Sequence, residues 1–409
     1  MGLDYALGLL DQWPDDIRQP EPEWLHALLF GRPPPQTWLL VRTVRFEQFT
    51  VLHFHQLIHD RALVGHLRHL NVSSCWMDDR AIESLITTAH LDQLRTLDMT
   101  YNHITSRGLS KLLRAVNLPD SLVVDLRHNH TSMVDVLDHD PPAFGVRFDS
   151  GLTLRRITPA RLRAICTAPL FACAEAFSLP EGNDMGPVLL DALLSAPDLS
   201  RMVEVRLPQA RLGGDPQVGA QLRALTERCA LTTLNLRHNR LTPNAFRPLS
   251  SNPTAFAELT HLDLGHNPTL GDGGLALLLR PLAAHNNLTA LNLEHCNLSS
   301  HGIIDLAHTA QLAQLTQLEL GGNPLGDTGL QALLDAPFAP NLTSLGLAQT
   351  GITDIGLEAL LASPQVAQLQ HVHIGTSSGF SQWITAEFNR RFINSSIFPH
   401  HIDDDDIPF

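Results

Sequence analysis

The sequence predicts an α/β solenoid shaped like a horseshoe, in which a parallel inner sheet of short strands is lined by outer helices. Two observations carry this prediction. A leucine pattern recurs along most of the 409 residues, and apolar pairs at helical spacing fill the second half of each recurrence. A chain of this length exceeds one ordinary domain, which favours a repeated unit.

The repeated frame is clearest at residues 231–241, which read Leu-Thr-Thr-Leu-Asn-Leu-Arg-His-Asn-Arg-Leu. Further frames follow in steps of 27 to 29 residues and start at Leu67, Leu94, Leu259, Leu288, Leu315 and Leu342. Leucines at the first, fourth and sixth positions should point inward, so that stacked units share one long core.

The ninth position of the frame carries a second signal. It holds an asparagine that should be buried and should hydrogen-bond backbone groups of its own and the neighbouring unit. These ladder asparagines are Asn102, Asn129, Asn239, Asn267 and Asn323. Cys75, Cys296 and Thr350 take the same position in three other units.

This frame resembles the leucine-rich repeat, and the long unit with a full helix is similar to the ribonuclease-inhibitor-like subfamily. The resemblance implies about thirteen repeats, counted from a first strand at residues 43–46. It is weaker between residues 132 and 200, where strands are expected at 146–148 and 177–179 and a convex-side loop at 132–142.

The chain divides into three expected parts: an N-terminal helical cap at residues 1–40, the solenoid at 41–380, and a C-terminal capping helix with an acidic tail at 381–409. A solenoid exposes core at its open ends and therefore needs caps. Trp383, Ile384, Phe388 and Phe392 are expected to cover the C-terminal end.

Composition restricts the partners and the compartment. The formal charge of −14 argues against nucleic acid, and the chain has no apolar run long enough to span a membrane. Five scattered cysteines and the lack of a signal peptide favour the cytoplasm, or export as an effector without a classical signal. Arginine outnumbers lysine, for which Lys111 is the single example, and this usage favours a GC-rich bacterium.

Motifs for catalysis, nucleotides and cofactors are missing, so we expect neither an enzyme nor a cofactor nor a small-molecule substrate. His55 and His59 share a helix face and could hold zinc, although surface histidines explain the pair equally well. No further ligand completes that site, so no metal is expected.

The inner face therefore carries the functional prediction. Side chains at the third, fifth and seventh positions should point into the concavity, with the eighth on its rim. The candidate partner-binding residues are Tyr101, Arg127, His128, Arg206, Asn235, Arg237, His238, Asp263, His266, Asn292, Glu294, His295 and Glu319.

We interpret the chain as a non-enzymatic protein-recognition scaffold that holds a partner protein on its concave face. A bacterial cytosolic adaptor, sensor or effector is one interpretation. A GTPase-activating or other enzyme-regulatory accessory protein is the alternative. Resemblance to ribonuclease inhibitor, the Ran GTPase-activating protein and innate-immune sensor regions implies only this class of function.

Overall fold

A computed structural model describes residues 38–392 with short gaps at 40, 47–48, 89, 133–134, 137, 141, 148–151, 154–156, 180–184, 215 and 376–379. Residues 19–20 and 23–25 are also described, so most of the expected N-terminal cap and the acidic tail lie outside the described residues. The chain forms two compact units, residues 1–152 with 168–173, and residues 153–167 with 174–409.

The first unit contains a five-stranded parallel sheet in the order β1-β2-β3-β4-β5. Its strands are β1 (Thr43–Arg45), β2 (His69–Asn71), β3 (Thr96–Asp98), β4 (Val123–Asp125) and β5 (Gly145–Arg147). Its helices are α1 (Val51–His59), α2 (Arg61–Val64), α3 (Asp79–Thr87) and α4 (Ser106–Leu113).

The nine-stranded sheet of the second unit runs from β6 to β14 in sequence order. Its strands are β6 (Leu152–Thr153), β7 (Ala176–Ser178), β8 (Glu204–Arg206), β9 (Thr233–Asn235), β10 (His261–Asp263), β11 (Ala290–Asn292), β12 (Gln317–Glu319), β13 (Ser344–Gly346) and β14 (His371–His373). Its helices are α5 (Pro159–Cys166), α6 (Val188–Leu194), α7 (Pro216–Arg228), α8 (Pro243–Phe246), α9 (Gly271–Leu282), α10 (Ser300–Ala307), α11 (Gly326–Leu334), α12 (Asp354–Ala362) and α13 (Gln382–Arg391).

These elements confirm the predicted α/β solenoid. Among the described residues, thirteen strands end at the predicted fifth position of a repeat, and β6 adds a two-residue strand in the irregular region. Equivalent positions pair directly, as Asp263 does with Asn235 on one side and Asn292 on the other. The frame leucines are buried, with Leu231, Leu234 and Leu236 between 0% and 5% exposed.

Three of the four side chains that the sequence assigns to the C-terminal cap are buried in or next to the helix α13. Ile384, Phe388 and Phe392 are buried, at 0%, 0% and 2% exposure. Trp383 is 57% exposed, so its assignment to the cap was wrong. Trp383 is adjacent in sequence to Ile384, and successive residues of a helix point about 100° apart, which turns the indole towards solvent.

The ladder asparagines hold neighbouring repeats together. Asn323 Oδ1 accepts hydrogen bonds from the backbone N–H groups of Cys296 (3.1 Å) and Leu298 (2.9 Å), both one repeat earlier. Its Nδ2 donates to the carbonyls of Leu293 (2.8 Å) and Leu320 (2.9 Å). Asn102, Asn239, Asn267 and Asn323 are buried, whereas Asn129 is half-buried.

Where cysteine takes the ninth position, its thiol reproduces the hydrogen bond that the asparagine amide donates. The Cys296 thiol donates to the carbonyl of Leu264 (3.1 Å), one repeat earlier, as an asparagine amide would. Burial raises the pKa of this thiol to about 12, which keeps it in the donating form. Cys296 therefore has a structural role in the core.

A threonine ladder runs along the start of four strands. The hydroxyl of each threonine donates to the backbone carbonyl of the threonine one repeat earlier, at 2.9 to 3.1 Å. The donors are Thr260, Thr289, Thr316 and Thr343. Each short strand is thus held to its neighbour at both ends.

Helices of successive repeats are joined by a carboxylate. Asp272 of α9 accepts a hydrogen bond from the backbone N–H of Ser299 (2.9 Å), the residue that caps α10. A Cβ at Gly302 would lie 2.2 Å from the same Asp272 oxygen. The glycine in α10 therefore leaves space for this carboxylate, and Asp79 and Asp327 make the same contact in their repeats.

Substitution of a ladder asparagine should act on stability. We expect Asn323→Ala to lower the free energy of unfolding by about 1 to 3 kcal/mol for each backbone group left unpaired. Chemical denaturation monitored by circular dichroism measures this change. Asn287→Ala is the control, because Asn287 is exposed and makes one hydrogen bond. Equal stability of the two variants would contradict the ladder's role.

Candidate partner-binding surfaces

The predicted binding residues fall into two groups, one in each unit. Tyr101, Arg127 and His128 lie in the first unit, and the remaining ten lie in the second. In both units these residues end the strands or lie just after them, on the sheet face opposite the helices, which we call the open face. Each group is described separately.

An ion pair crosses the middle of the second group. Arg237 follows β9 and reaches Glu294, which follows β11, with Nη2 and Oε2 3.1 Å apart. The guanidinium passes over the intervening repeat at Gly265, where a Cβ would lie 3.1 Å from Arg237 Nη1. A larger residue at 265 would crowd the arginine, so the glycine permits the long reach.

A buried amide and a buried carboxylate hold the backbone around this ion pair. Asn292 is 1% exposed, and its Oδ1 accepts the backbone N–H of Glu294 at 2.9 Å. Asp263 is 5% exposed, accepting the backbone N–H of Gly265 (2.8 Å) and the side-chain amide of Asn235 (3.1 Å). Asp263 and Asn292 therefore shape the surface from inside, whereas the other predicted residues of this unit are half-buried.

The three carboxylates of this cluster differ in pKa. Burial raises the pKa of Asp263, and burial together with the charge of Glu294 raises that of Glu319 to about 7. Burial also disfavours the ionised form of Glu294, but the hydrogen bond to His266 and the charge of Arg237 outweigh it and lower the pKa to about 2. Glu294 is therefore the firmly ionised member.

Three histidines stack along the rim at the eighth positions of consecutive repeats. The ring centroids of His238 and His266 are 4.1 Å apart, and those of His266 and His295 are 4.6 Å apart. All three have positive φ, at 56°, 56° and 48°. This backbone conformation disfavours side chains with a Cβ.

The histidine stack ends at the next repeat. Its eighth position is Gly322, and a Cβ there would lie 2.1 Å from Nδ1 of His295. The ring of His295 thus occupies the space that a side chain at 322 would need.

The structure brings Arg237, Glu294 and the three histidines together, while Arg206 lies two strands from β10 and pairs with Glu204 at 2.5 Å.

The first unit presents an aromatic rim. Tyr101 stacks on His128 with centroids 4.3 Å apart, and Arg127 pairs with Asp125 at 2.7 Å. Sequence analysis missed a parallel row at the tenth position, formed by Trp76, His103 and His130. Reading the tenth position of successive repeats would have revealed it.

The histidine pair of α1 is fully accounted for by local contacts. The rings of His55 and His59 lie 4.2 Å apart. Nδ1 of His55 contacts the Ser84 hydroxyl at 2.9 Å, and Nδ1 of His59 contacts the His55 carbonyl at 2.9 Å.

No helix in the described part of the chain has the length and apolar character that crossing a membrane requires.

A pair of glycine variants tests the role of Gly322. Gly322→Ala and Gly326→Ala both place a side chain at positive φ, 69° and 61°, which costs about 1 to 2 kcal/mol. Only the former also meets His295, because nothing lies within 4 Å of a Cβ at 326. We expect Gly322→Ala to be the less stable variant and to shift the His295 ring signals in NMR spectra. Unchanged ring signals would contradict the proposed contact.

The pKa of Glu319 predicts a pH dependence of stability. Between its ordinary pKa of 4.5 and about 7, the folded state holds a proton that the unfolded chain has released. The free energy of unfolding should therefore fall as pH rises through this window, by at most about 1.4 kcal/mol per pH unit. Glu319→Gln should remove this component of the slope in denaturation measurements, whereas Glu358→Gln on the exposed side of α12 should retain it. Identical slopes would refute the assignment.

Comparisons with known proteins agree with the repeat pattern. The sequence profile described as Leucine Rich repeat matches residues 66–85, 93–113, 259–279, 284–307, 313–334 and 338–361. NACHT, LRR and PYD domains-containing protein 14 of Mus musculus is 41% identical over 115 residues, covering 28% of this chain and 12% of that protein.

Two further relatives show the same local similarity. Ribonuclease inhibitor of Sus scrofa is 37% identical over 114 residues, covering 27% of this chain and 25% of that protein. NACHT, LRR and PYD domains-containing protein 3 of Homo sapiens is 40% identical over 110 residues, covering 26% of this chain and 10% of that protein. The match thus spans a quarter or less of each of these three proteins. The repeat frame, the parallel sheets and these matches show that the chain is a leucine-rich repeat protein of the ribonuclease-inhibitor-like type.

Proposed function

We propose that this chain is a non-enzymatic recognition scaffold that binds a partner protein through the open face and rim of its repeats. The observation that carries the proposal is the exposure of two large aromatic side chains on the rim of the first unit. Trp76 is 76% exposed and Tyr101 is 61% exposed. Tryptophan, tyrosine and arginine are the residues that dominate the binding energy of protein interfaces.

Backbone conformation strengthens this argument. Trp76 and Tyr101 have φ of 58° and 55°, a region where glycine or asparagine is cheaper by about 1 to 2 kcal/mol. Neither ring is buried, so the core does not offset this cost. The same turn gives positive φ at equivalent positions of other repeats, such as Gln209 and His238, so Trp76 and Tyr101 are distinguished by carrying a large exposed ring at such a position. Tyr101 stacks on His128, and the Trp76 ring packs at a tilt against His103, which restricts both orientations and reduces the entropy lost on binding.

The second unit would contribute an acidic surface. Glu319 ends β12 and Glu294 follows the neighbouring β11, where it pairs with Arg237, while Asp263 at the end of β10 is buried. The chain carries a formal charge of −14. A partner with clustered lysine or arginine side chains would complement this surface electrostatically.

We propose two specific roles for this recognition scaffold. A cytosolic adaptor, sensor or effector would hold its partner on one of these surfaces, and an enzyme-regulatory accessory protein would use such a surface on a GTPase or another enzyme. The identity of the partner distinguishes these two roles. The arginine-rich usage supports a bacterial origin, although the relatives named above are mammalian.

Recovery of a partner from native lysate tests the role of the aromatic rim. The double variant Trp76→Asn with Tyr101→Asn keeps residues that tolerate positive φ while it removes both rings. We expect affinity for the recovered partner to fall at least about ten-fold, since truncating one such residue costs about 2 kcal/mol or more.

Trp383→Ala is the control, because it removes another exposed tryptophan, at 57% exposure, from α13, outside the rim. The control should bind as the unmodified chain does. Equal binding by the double variant would remove the first unit's rim from the proposed interface. An equal loss in both variants would show that the effect is not specific to the rim.

A further inference from the structure

The rim of the second unit gathers three potential metal ligands that the repeat template does not require. One ring nitrogen each of His266 and His295 and one carboxylate oxygen of Glu294 all lie within 4.8 Å of one another. Nε2 of His266 is 3.3 Å from Oε2 of Glu294. The histidines come from the eighth positions of two consecutive repeats, and the glutamate from the seventh position of the second.

Two imidazoles and one carboxylate form a ligand set that zinc accepts. Ligand atoms around a four-coordinate zinc lie about 3.4 Å apart, as metal–ligand distances of about 2.1 Å and tetrahedral angles require. Side-chain rotations that shorten these separations by up to about 1.4 Å would bring the present atoms to that distance. The carboxylate and the His266 ring retain 29% and 25% side-chain exposure, so an ion can enter from solvent.

Space is available in front of these ligands. A shallow pocket of about 520 Å³ opens over the rim and is lined by His238, His266, Pro268, His295, Asn297 and Gly322. Because Gly322 lacks a side chain, the His295 ring lies back over the neighbouring repeat. The pocket thus opens beside the two histidines of the ligand set, where a fourth ligand could bind, whereas Glu294 is not part of its lining.

The charges around the site also suit a cation. Arg237, which lies 3.1 Å from Glu294 Oε2, opposes a metal by Coulomb repulsion. Against that single guanidinium stand the carboxylates of Glu294, Asp263 and Glu319, and all three interact electrostatically with Arg237. Glu294 also has a second oxygen, so Arg237 can act as the hydrogen-bonding partner that orients a ligating carboxylate.

We propose that His266, Glu294 and His295 form a site for one zinc ion, whose fourth coordination position faces the rim pocket. These three residues are also candidate partner-binding residues, but the proposed recognition function rests on the aromatic rim of the first unit, and zinc binding is measured on the purified chain alone. Failure of the zinc experiment would therefore leave the proposed recognition function untouched.

Isothermal titration of the metal-free full-length chain with zinc chloride tests the site. The unmodified chain should bind one equivalent tightly and should gain thermal stability, because zinc binds the folded state in preference to the unfolded chain. The double variant His266→Asn with His295→Asn should lose this equivalent. Loss of partners in the outer shell already weakens metal binding about 10- to 100-fold, so removal of two direct ligands should exceed about 100-fold.

Asparagine is chosen because it tolerates the positive φ of both positions. His238→Asn is the matched control, because it removes a histidine of the same stack with the same φ of 56° but outside the ligand set. The chain has 22 histidines, so weak additional binding is expected in every variant. His55→Asn with His59→Asn shows how much of that background comes from the pair on α1.

Glu294→Gln provides a second test if the double histidine variant fails to fold. This substitution keeps the shape of the side chain and should also remove the tight equivalent. Cobalt can replace zinc as a spectroscopic probe, and tetrahedral visible absorption bands should appear in the unmodified chain and in His238→Asn. Tight binding that survives in the folded double variant or in Glu294→Gln would overturn the proposal, as would the absence of a tight equivalent in the unmodified chain.

Discussion

The hydrogen bond between a buried asparagine and the preceding repeat is the interaction on which the remaining structure depends. Strands of three residues cannot hold a sheet on their own, because each contributes few backbone bonds to its neighbour. Asn323 and Asn267 satisfy the turns that follow these strands, and the threonine ladder fixes the strand starts. Since both ladders bond to backbone atoms, they set the register between repeats whichever side chains occupy the open face. The open face is therefore free to vary.

The fixed register between repeats determines which contacts the side chains of the open face and rim can make. Equivalent positions of neighbouring repeats lie one strand spacing apart, about 4.8 Å, which is close to the stacking distance of flat rings. Histidines at three successive eighth positions therefore stack, with centroids 4.1 Å and 4.6 Å apart. The same geometry places Tyr101 on His128 in the first unit. Two surfaces of different chemistry thus arise from one backbone rule, because the residue type alone differs between them.

The carboxylates of the open face are neutralised or shielded by their neighbours to different extents. Arg237 neutralises Glu294 across a whole repeat, and Asp263 is shielded beneath them. Burial and the charge of Glu294 raise the pKa of Glu319 to about 7, because together they outweigh the opposing charge of Arg237. Excess negative charge is thus confined to a small region beside the rim histidines. A basic partner or a metal ion would relieve it, which links the proposed recognition surface to the proposed zinc site by electrostatics.

The sequence by itself determined the repeat, the inward leucines, the ladder asparagines and the strand positions, because these residues recur at fixed offsets and act through backbone geometry common to every unit. It also placed the three histidines on one rim. Only the tertiary structure decided that Arg237 reaches Glu294 over Gly265, that Asp263 and Asn292 are buried, and that Trp383 faces solvent. Side-chain length, local burial and the size of neighbours two repeats away govern those outcomes. A pattern read one repeat at a time does not contain them.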